Sequence, residues 1–301
     1  MRVSVLICTY KRPVLLNDCL GFLLKEAAEL PDEVVVVDGD NGSAGTIVDE
    51  WRKEFPRITF VPTANVNLAV SRNIGLTHCS GDVIALTDDD VRVSGEWVRK
   101  IKELHTAYPA IGVIGGKVKA AGKTLIDAVS DAVVFPVPAA AAFVRTVAGA
   151  NASYKRAVIE KVGGYDEHLF RGEDVDYNWR AIKAGFSVFY EPSLVVAHVH
   201  RQTWSALFNQ LFMYGRAYYR VRRKWKEMYT VFPHGLCGIR NILKLAYFPV
   251  ACVVEPLKIC AAAHGGARTC MMFVPLVLSQ IAWRAGIVQE FFWSEKGVTW
   301  I

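Results

Sequence analysis

Short apolar runs that end at polar or charged residues alternate with stretches of helical period through the first 200 positions. Arg2 to Cys8 (RVSVLIC) reads as a buried strand, followed by the loop Thr9-Tyr10-Lys11-Arg12-Pro13, with Pro13 suited to the first turn of a helix. Leu15, Cys19 and Phe22, with Leu16, Leu20 and Leu23, mark that helix as amphipathic, and Pro31-Asp32 ends it. Glu33 to Val37 gives a second strand that closes on Asp38. A polar loop then leads to a helix near 46–55, a short strand at 58–61 and a helix at 70–78. Gly81 introduces a further strand, which ends abruptly in Asp88-Asp89-Asp90.

Beyond it the pattern predicts a helix at 97–108, an extended segment at 111–119 and a short helix at 154–162 ending at Gly163-Gly164. Val175, Trp179 and Ile182 at helical spacing follow Glu173 and Asp174, and Gly185 supplies the stop. Strands at 186–190 and 194–198 follow, the second closing on His198-Val199-His200. The alanine- and valine-rich stretch 127–147, with Pro136 and Pro138, fits neither period; a flexible lid and an acceptor-side loop both suit it. The alternation predicts an α/β fold with a mainly parallel central sheet covered by helices. Ligands of such sheets bind outside the carboxyl ends of the strands, where Thr9, Tyr10, Asp38 and Asp88 to Asp90 fall.

Three adjacent carboxylates need an explanation, because two such charges at ~4 Å repel by about 4 kcal/mol at an effective dielectric near 20. A solvated acidic turn is one answer, and a divalent cation with hard oxygen ligands is the other. Glu173 and Asp174 open a helix, where the macrodipole favours the ionised form, so ordinary capping chemistry also accounts for them. His198 suits either a core histidine at a strand end or a metal ligand, and His200 reads as structural. A dinucleotide-binding start would need a glycine-rich turn after the first strand, but positions 8–13 contain no glycine.

Charge changes the picture at the far end. The chain has 301 residues, 52% of them hydrophobic and 21% charged, and a mean hydropathy of +0.22. Residues 1–200 carry 22 Lys and Arg against 25 Asp and Glu, a balance of −3, whereas residues 201–301 carry 13 against 4, a balance of +9, which together give the net charge of +6. Arg216, Arg220, Arg222, Arg223, Lys224 and Lys226 sit among Phe212, Tyr214, Tyr218, Tyr219 and Trp225 after Trp204. This basic, aromatic helix suits an anionic membrane surface, and no base-reading module accompanies it to suggest nucleic acid. Two apolar segments follow, near 239–263 and 271–292. Lys244, Glu255 and Lys258 interrupt the first and Arg284 the second, each costing about 2.5–3.5 kcal/mol at mid-bilayer. Segments lying in the interface are expected; a spanning hairpin and packing on the body or in a homo-oligomer stay open. Seven cysteines scattered singly match no zinc or redox spacing and suit reduced cytosolic thiols. With a strand read from Arg2 onward, no signal peptide is expected.

Four blocks together resemble the family 2 glycosyltransferases of GT-A fold: VSVLICTYKRP; EVVVVDGDNGS; Asn65 to Gly75 with Gly81-Asp82 to Asp90; and Gly149-Ala150-Asn151 through Gly163-Gly164-Tyr165-Asp166-Glu167 and Gly172-Glu173-Asp174-Val175-Asp176 to Pro192 and His198. The resemblance covers roughly 1–205 and implies a catalytic domain there, with 206–301 as a helical membrane-associating tail. It implies that Thr9, Tyr10 and Arg12 line the nucleotide-sugar side and that Asp38 accepts a hydrogen bond from the base. Arg72 would brace the same pocket, and Asp88 would meet the ribose with Asp89 beside it. Asp90 and His198 would hold Mn²⁺ or Mg²⁺, Asp174 would be the catalytic base, and Glu173 its neighbour in the acceptor pocket. The loop after Asp38 is two residues longer than the common form, which leaves Asp40 as an alternative base reader. The function implied is metal-dependent, inverting transfer from a nucleotide-sugar donor to a saccharide or polyprenyl-linked acceptor in cell-envelope glycan synthesis, on the cytoplasmic face of the plasma membrane. A nucleotidyltransferase-like protein and a non-catalytic nucleotide-binding membrane scaffold are the alternatives.

Overall fold

The computed structural model describes residues 1–136, 138–228, 238–262 and 266–295; Val137, Cys237 and Ala263, which entered the readings above, lie outside the described residues. The chain forms two compact units, Met1–Ala121 with Val137–Val199, and Gly122–Pro136 with His200–Ile301.

The first unit is built on the predicted alternation. Strands β1 (Val3–Thr9), β2 (Glu33–Asp38), β3 (Ile58–Pro62) and β4 (Val83–Asp88) pair in parallel, and helices α1 (Pro13–Leu24), α2 (Gly45–Glu54) and α3 (Leu68–His78) connect them. The cores of β1, β2 and β4 are buried without alternation, as strands covered on both faces must be. In α1, Pro13 takes the first helical position, and Leu16, Cys19, Leu20 and Leu23 form the buried stripe at the expected spacing. Gly75 of α3 lets that helix lie close on the sheet, since a Cβ there would run into the Leu6 side chain.

Past β4 come β5 (Val91–Val93), α4 (Trp97–Ala107) and β6 (Ile111–Ala120), and later β7 (Ala142–Phe143), β8 (Ala152–Lys155), α6 (Arg156–Val162), α7 (Glu173–Lys183) and β9 (Ser187–His198). The sheet runs β3-β2-β1-β4-β8-β6-β9-β5, with β7 paired to β9. The sheet is mixed: β3, β2, β1 and β4 run parallel, as do β6 and β9, whereas β8 opposes β4 and β6, and β5 and β7 oppose β9. Four expectations change. Helix α1 stops at Leu24, before Pro31-Asp32 is reached. The helix expected at 154–162 begins only at Arg156, because Ala152–Lys155 is drawn into the sheet between β4 and β6. The two strands expected at 186–190 and 194–198 are one, since pairing with β6 skips from Glu191 to Val195 and accommodates Pro192 as a bulge. The unassigned 127–147 stretch overlaps a helix, α5 (Leu125–Val133), which Thr124 and Asp127 start as a capping box, and also contains β7.

The second unit is helical: α5, α8 (Trp204–Lys224), α9 (Ile239–Ala262) and α10 (Ala267–Glu295). Ile126 and Val129 of α5, Leu207 and Leu211 of α8, and Leu276 of α10 form its core. Helices α8 and α10 cross closely at Gly215 and Gly286; a Cβ on the first would collide with the Trp283 carbonyl oxygen, and on the second with that of Phe212. Arg216 and Arg220 both pair with the buried Glu290, at 2.8 and 2.7 Å. Ile239–Ala262 and Thr269–Trp293 are long and apolar enough to cross a membrane by length and composition. Large apolar side chains stay exposed along α9 (Ile239, Leu243, Val250, Leu257) and α10 (Met271, Val274, Leu278, Ile281).

Candidate functional site

Strand register brings the predicted loops together. Thr9 pairs with Asp38 across β1 and β2, and Cys8 pairs with Asp88 across β1 and β4, so the three strands end at one level. Antiparallel pairing of β5 with β9 sets Val91 opposite His198, and the Val199 N–H donates to the Asp90 carbonyl at 2.8 Å. That pairing places a histidine next to a carboxylate more than a hundred positions earlier.

The three acids have separate surroundings. Asp89 is fully buried; its Oδ2 accepts from Thr9 Oγ1 at 2.7 Å, and its Oδ1 lies 2.7 Å from Arg12 Nη2. Burial pushes its carboxyl up to about 7, against the pull of Arg12. Asp90 faces Arg12 Nη1 at 2.5 Å through Oδ2 and His198 Nε2 at 3.2 Å through Oδ1. Burial opposes its charge, but His198 and then Arg12 hold it down at about 2. Asp88, half-buried at the end of β4, lies 3.4 Å from Arg72 Nη2; burial raises its carboxyl against the pull of that guanidinium. Donor atoms of Asp88, Asp90 and His198 lie within 4.8 Å of one another. Two carboxylates and an imidazole closing on one point fit a hard divalent cation such as Mn²⁺ or Mg²⁺.

Helix α7 carries the second set of acids. Gly172 takes a positive φ of 76° at its N-cap, a conformation glycine adopts freely, and Glu173, Asp174 and Asp176 fill the first turn. Glu173 is buried and its Oε1 lies 2.6 Å from Arg72 Nη1; burial raises its carboxyl to about 7, with Arg72 opposing and Asp174 adding to the rise. Arg72 therefore bridges Asp88 and Glu173, its guanidinium 5.5 Å from the centre of the Tyr165 ring. Asp174 accepts from the Gly149 N–H through Oδ2 at 3.0 Å and from Val175 N–H through Oδ1 at 2.8 Å. Gly149 is required to be small: a Cβ there would come within 2.5 Å of Arg72 Nη2.

The remaining candidates lie nearby with different partners. Asp38 is fully buried and its two oxygens accept from Asp40 N–H and Ala44 N–H, so it braces its own loop and leaves the less buried Asp40 as that loop's outward acid. Tyr10 is 40% exposed beside Gly39, with Lys11 Nζ 5.1 Å from its ring centre. Arg12, expected on the nucleotide side, spans Asp89 and Asp90. His200 belongs to the helical unit, where its Nε2 lies 3.1 Å from Asp131 Oδ1. Sequence reasoning gave no role to Gly149 or Asn151. The Asn151 amide receives Trp97 Nε1–H at 2.8 Å and donates to the Leu194 carbonyl at 2.9 Å, tying the turn under Asp174 to the sheet. Their only signal was membership of the Gly149-Ala150-Asn151 block.

Known proteins share both sequence and fold with this chain. It is 32% identical over 152 residues to the pre-mycofactocin glycosyltransferase of Mycobacterium tuberculosis, covering 44% of this chain and 30% of that one. It is 33% identical over 120 residues to the succinoglycan biosynthesis protein ExoM of Rhizobium meliloti, covering 38% of each. The chain thus spans only about a third of the length of these relatives. A mannosyltransferase from Pyrobaculum calidifontis, solved with GDP-Man and Mn²⁺, shares the fold at a TM-score of 0.65 and 18% identity, over 97% of this chain and 87% of that one. The expected GT-A architecture is borne out. The family model "Glycosyl transferase family 2" matches residues 4–163, which takes in β1 to α6 and all three strand-end acids, and the chain belongs to that family.

Proposed function

We propose that this chain transfers a sugar, with inversion, from a nucleotide diphosphate donor to a hydroxyl of a saccharide or lipid-linked acceptor in envelope glycan synthesis. The observation that carries the reading is the convergence of Asp88, Asp90 and His198, in a family 2 chain, at the strand ends where α/β sheets bind ligands. These three residues would hold Mn²⁺ or Mg²⁺, which when bound supplies Lewis-acid stabilisation to a departing diphosphate. Thr9, Tyr10 and the loop braced by Asp38 form the nucleotide side, with Asp89 buttressed by Thr9 and Arg12.

On the acceptor side, Asp174 takes the proton of the attacking hydroxyl, and a positioned base of this kind is typically worth about 10²–10⁴-fold. The Gly149 N–H orients Asp174, while Glu173 is committed to Arg72 and serves to hold that arginine. With Asp174 as base, inverting transfer would be a single displacement, the hydroxyl bond to the sugar forming as the bond to the diphosphate breaks. Names among the relatives support the saccharide and lipid classes of acceptor, including a glucosyl-dolichyl phosphate glucuronosyltransferase of Haloferax volcanii, and the mannosyltransferase supports a nucleotide-sugar donor with Mn²⁺.

We assign catalysis to residues 1–205 and attachment to the cytoplasmic face of the membrane to 206–301, where exposed apolar side chains of α9 and α10 accompany the exposed Arg223 and Lys224 at the end of α8; Arg216 and Arg220 are instead paired with Glu290, and Arg222 is buried. A panel of sugar nucleotides, screened by thermal shift with Mn²⁺ and then assayed for transfer with and without EDTA, tests the reading. Transfer is expected to stop under chelation and in Asp90→Ala, and to return in the wild type when metal is restored. Full transfer under chelation contradicts the metal role, and transfer of the nucleotide instead of the sugar contradicts the reaction.

A further inference from the structure

Arg12 sits where a cation is needed and is chemically unlike the cation the site fits. Its guanidinium forks across two neighbouring carboxylates, Nη2 to Asp89 Oδ1 at 2.7 Å and Nη1 to Asp90 Oδ2 at 2.5 Å. It is more open than either acid it holds: its side chain is 33% exposed, against 0% for Asp89 and 8% for Asp90. The backbone presents it deliberately. Lys11 just before it holds a φ of 54°, Pro13 just after it fixes the first turn of α1, and Arg12 occupies the N-cap position without making a side-chain cap. Asp90 is also one of the three groups whose donor atoms converge with those of Asp88 and His198. Arg12 and a divalent cation therefore claim the same carboxylate from two sides.

We propose that Arg12 is the resident counter-cation of this cluster, which yields Asp90 when a divalent cation binds and so couples cation binding to arrival of the donor diphosphate. The inference rests on the metal reading given above. Two like charges cannot share Asp90 without cost, so a cation arriving alone must work against the Arg12 ion pair. A diphosphate offers the displaced guanidinium a second anion with matching, forked acceptors. Its position at the partly open lip of the cluster lets it turn to such an anion while Asp89 stays held by Thr9. Coupling of this kind is reciprocal: the diphosphate strengthens cation binding by the same factor as the cation strengthens diphosphate binding.

Calorimetric titration of the full chain with Mn²⁺, alone and with saturating UDP or GDP, tests this in wild type, Arg12→Gln and Arg12→Lys, with folding followed by circular dichroism. Arg12→Gln should bind Mn²⁺ alone on the order of ten-fold more tightly than wild type, and nucleotide should enhance its Mn²⁺ affinity less. Arg12→Lys should fall between them, because an ammonium keeps the charge but cannot fork across both acids. Equal Mn²⁺ affinity in wild type and Arg12→Gln overturns the role of Arg12 and leaves the metal site standing. Absence of Mn²⁺ binding from every form overturns the metal reading and this inference with it. If Arg12→Gln does not fold, Arg12→Lys decides: tighter Mn²⁺ binding than wild type supports the inference, and unchanged binding overturns it.

Discussion

Arg72 and Glu173 are 101 positions apart in sequence and 2.6 Å apart in the fold, Nη1 to Oε1, with both side chains nearly buried. Removing one partner of a buried pair strands the other charge, at a typical cost of about 3–5 kcal/mol. Arg72→Met should lower stability by that order, and adding Glu173→Leu should recover part of the loss, as read from urea unfolding. Strictly additive losses would show that the two side chains do not act as a pair.

His105 should leave a mark on the pH dependence of stability. It is buried, its Nε2 lies 2.9 Å from Ser153 Oγ, and burial lowers its pKa from 6.5 to about 3, with Lys155 adding to the fall. Between those values the unfolded chain takes up a proton that the folded chain refuses. The contribution of His105 is thus intact above pH ~6.5 and declines as pH falls towards ~3, by at most about 1.4 kcal/mol per pH unit. Unfolding free energy measured between pH 6.5 and 4 should fall less steeply in His105→Gln than in wild type; identical slopes would count against a neutral buried imidazole.

Close approach of α8 and α10 predicts a sharp penalty for the smallest added side chain. Gly286→Ala meets the Phe212 carbonyl and Gly215→Ala meets that of Trp283, so each has to push the backbones apart. Overpacking of this sort typically costs about 1–3 kcal/mol. Thermal melting should drop for either variant, whereas Ala285→Gly, at an exposed position of α10, should produce only the smaller loss of helix propensity, about 1 kcal/mol or less.

Membrane attachment through α9 predicts that Leu243→Glu with Leu257→Glu weakens binding to anionic phospholipid vesicles at least several-fold, since both leucines are more than half exposed, at 61% and 51%. Phe143→Glu alters a still more exposed apolar side chain of the sheet unit, at 70%, and should leave vesicle binding unchanged. Equal loss from both changes would remove the special role of α9.

Much of this arrangement is readable along the chain because its evidence is local. The strands β1, β2 and β4 declare themselves as apolar runs, and Asp38 and Asp88 end theirs. What escapes is set by distant pairing. β8 is four residues that run straight into a helix, so nothing local separates it from that helix. The junction of His198 with Asp90 depends on the three-residue strand β5 pairing with the end of β9. The fork of Arg12 over Asp89 and Asp90, and the bridge from Asp88 through Arg72 to Glu173, are likewise products of strand register and not of spacing. The capping box Thr124-Leu125-Ile126-Asp127 was a legible helix start, but the apolar composition and nearby Pro136 and Pro138 obscured it.

The account turns on Asp174 as the group that takes the acceptor proton, and the most direct measurement is sugar transfer by Asp174→Asn alongside its binding of the donor nucleotide. Asparagine keeps the size of the side chain and one of the two oxygens that accept from Gly149 and Val175 N–H, and removes its capacity as a base. Transfer should fall by about 10²–10⁴-fold while nucleotide affinity stays within a few-fold of wild type. An Asp174→Asn enzyme that transfers sugar at a rate close to wild type would contradict the account.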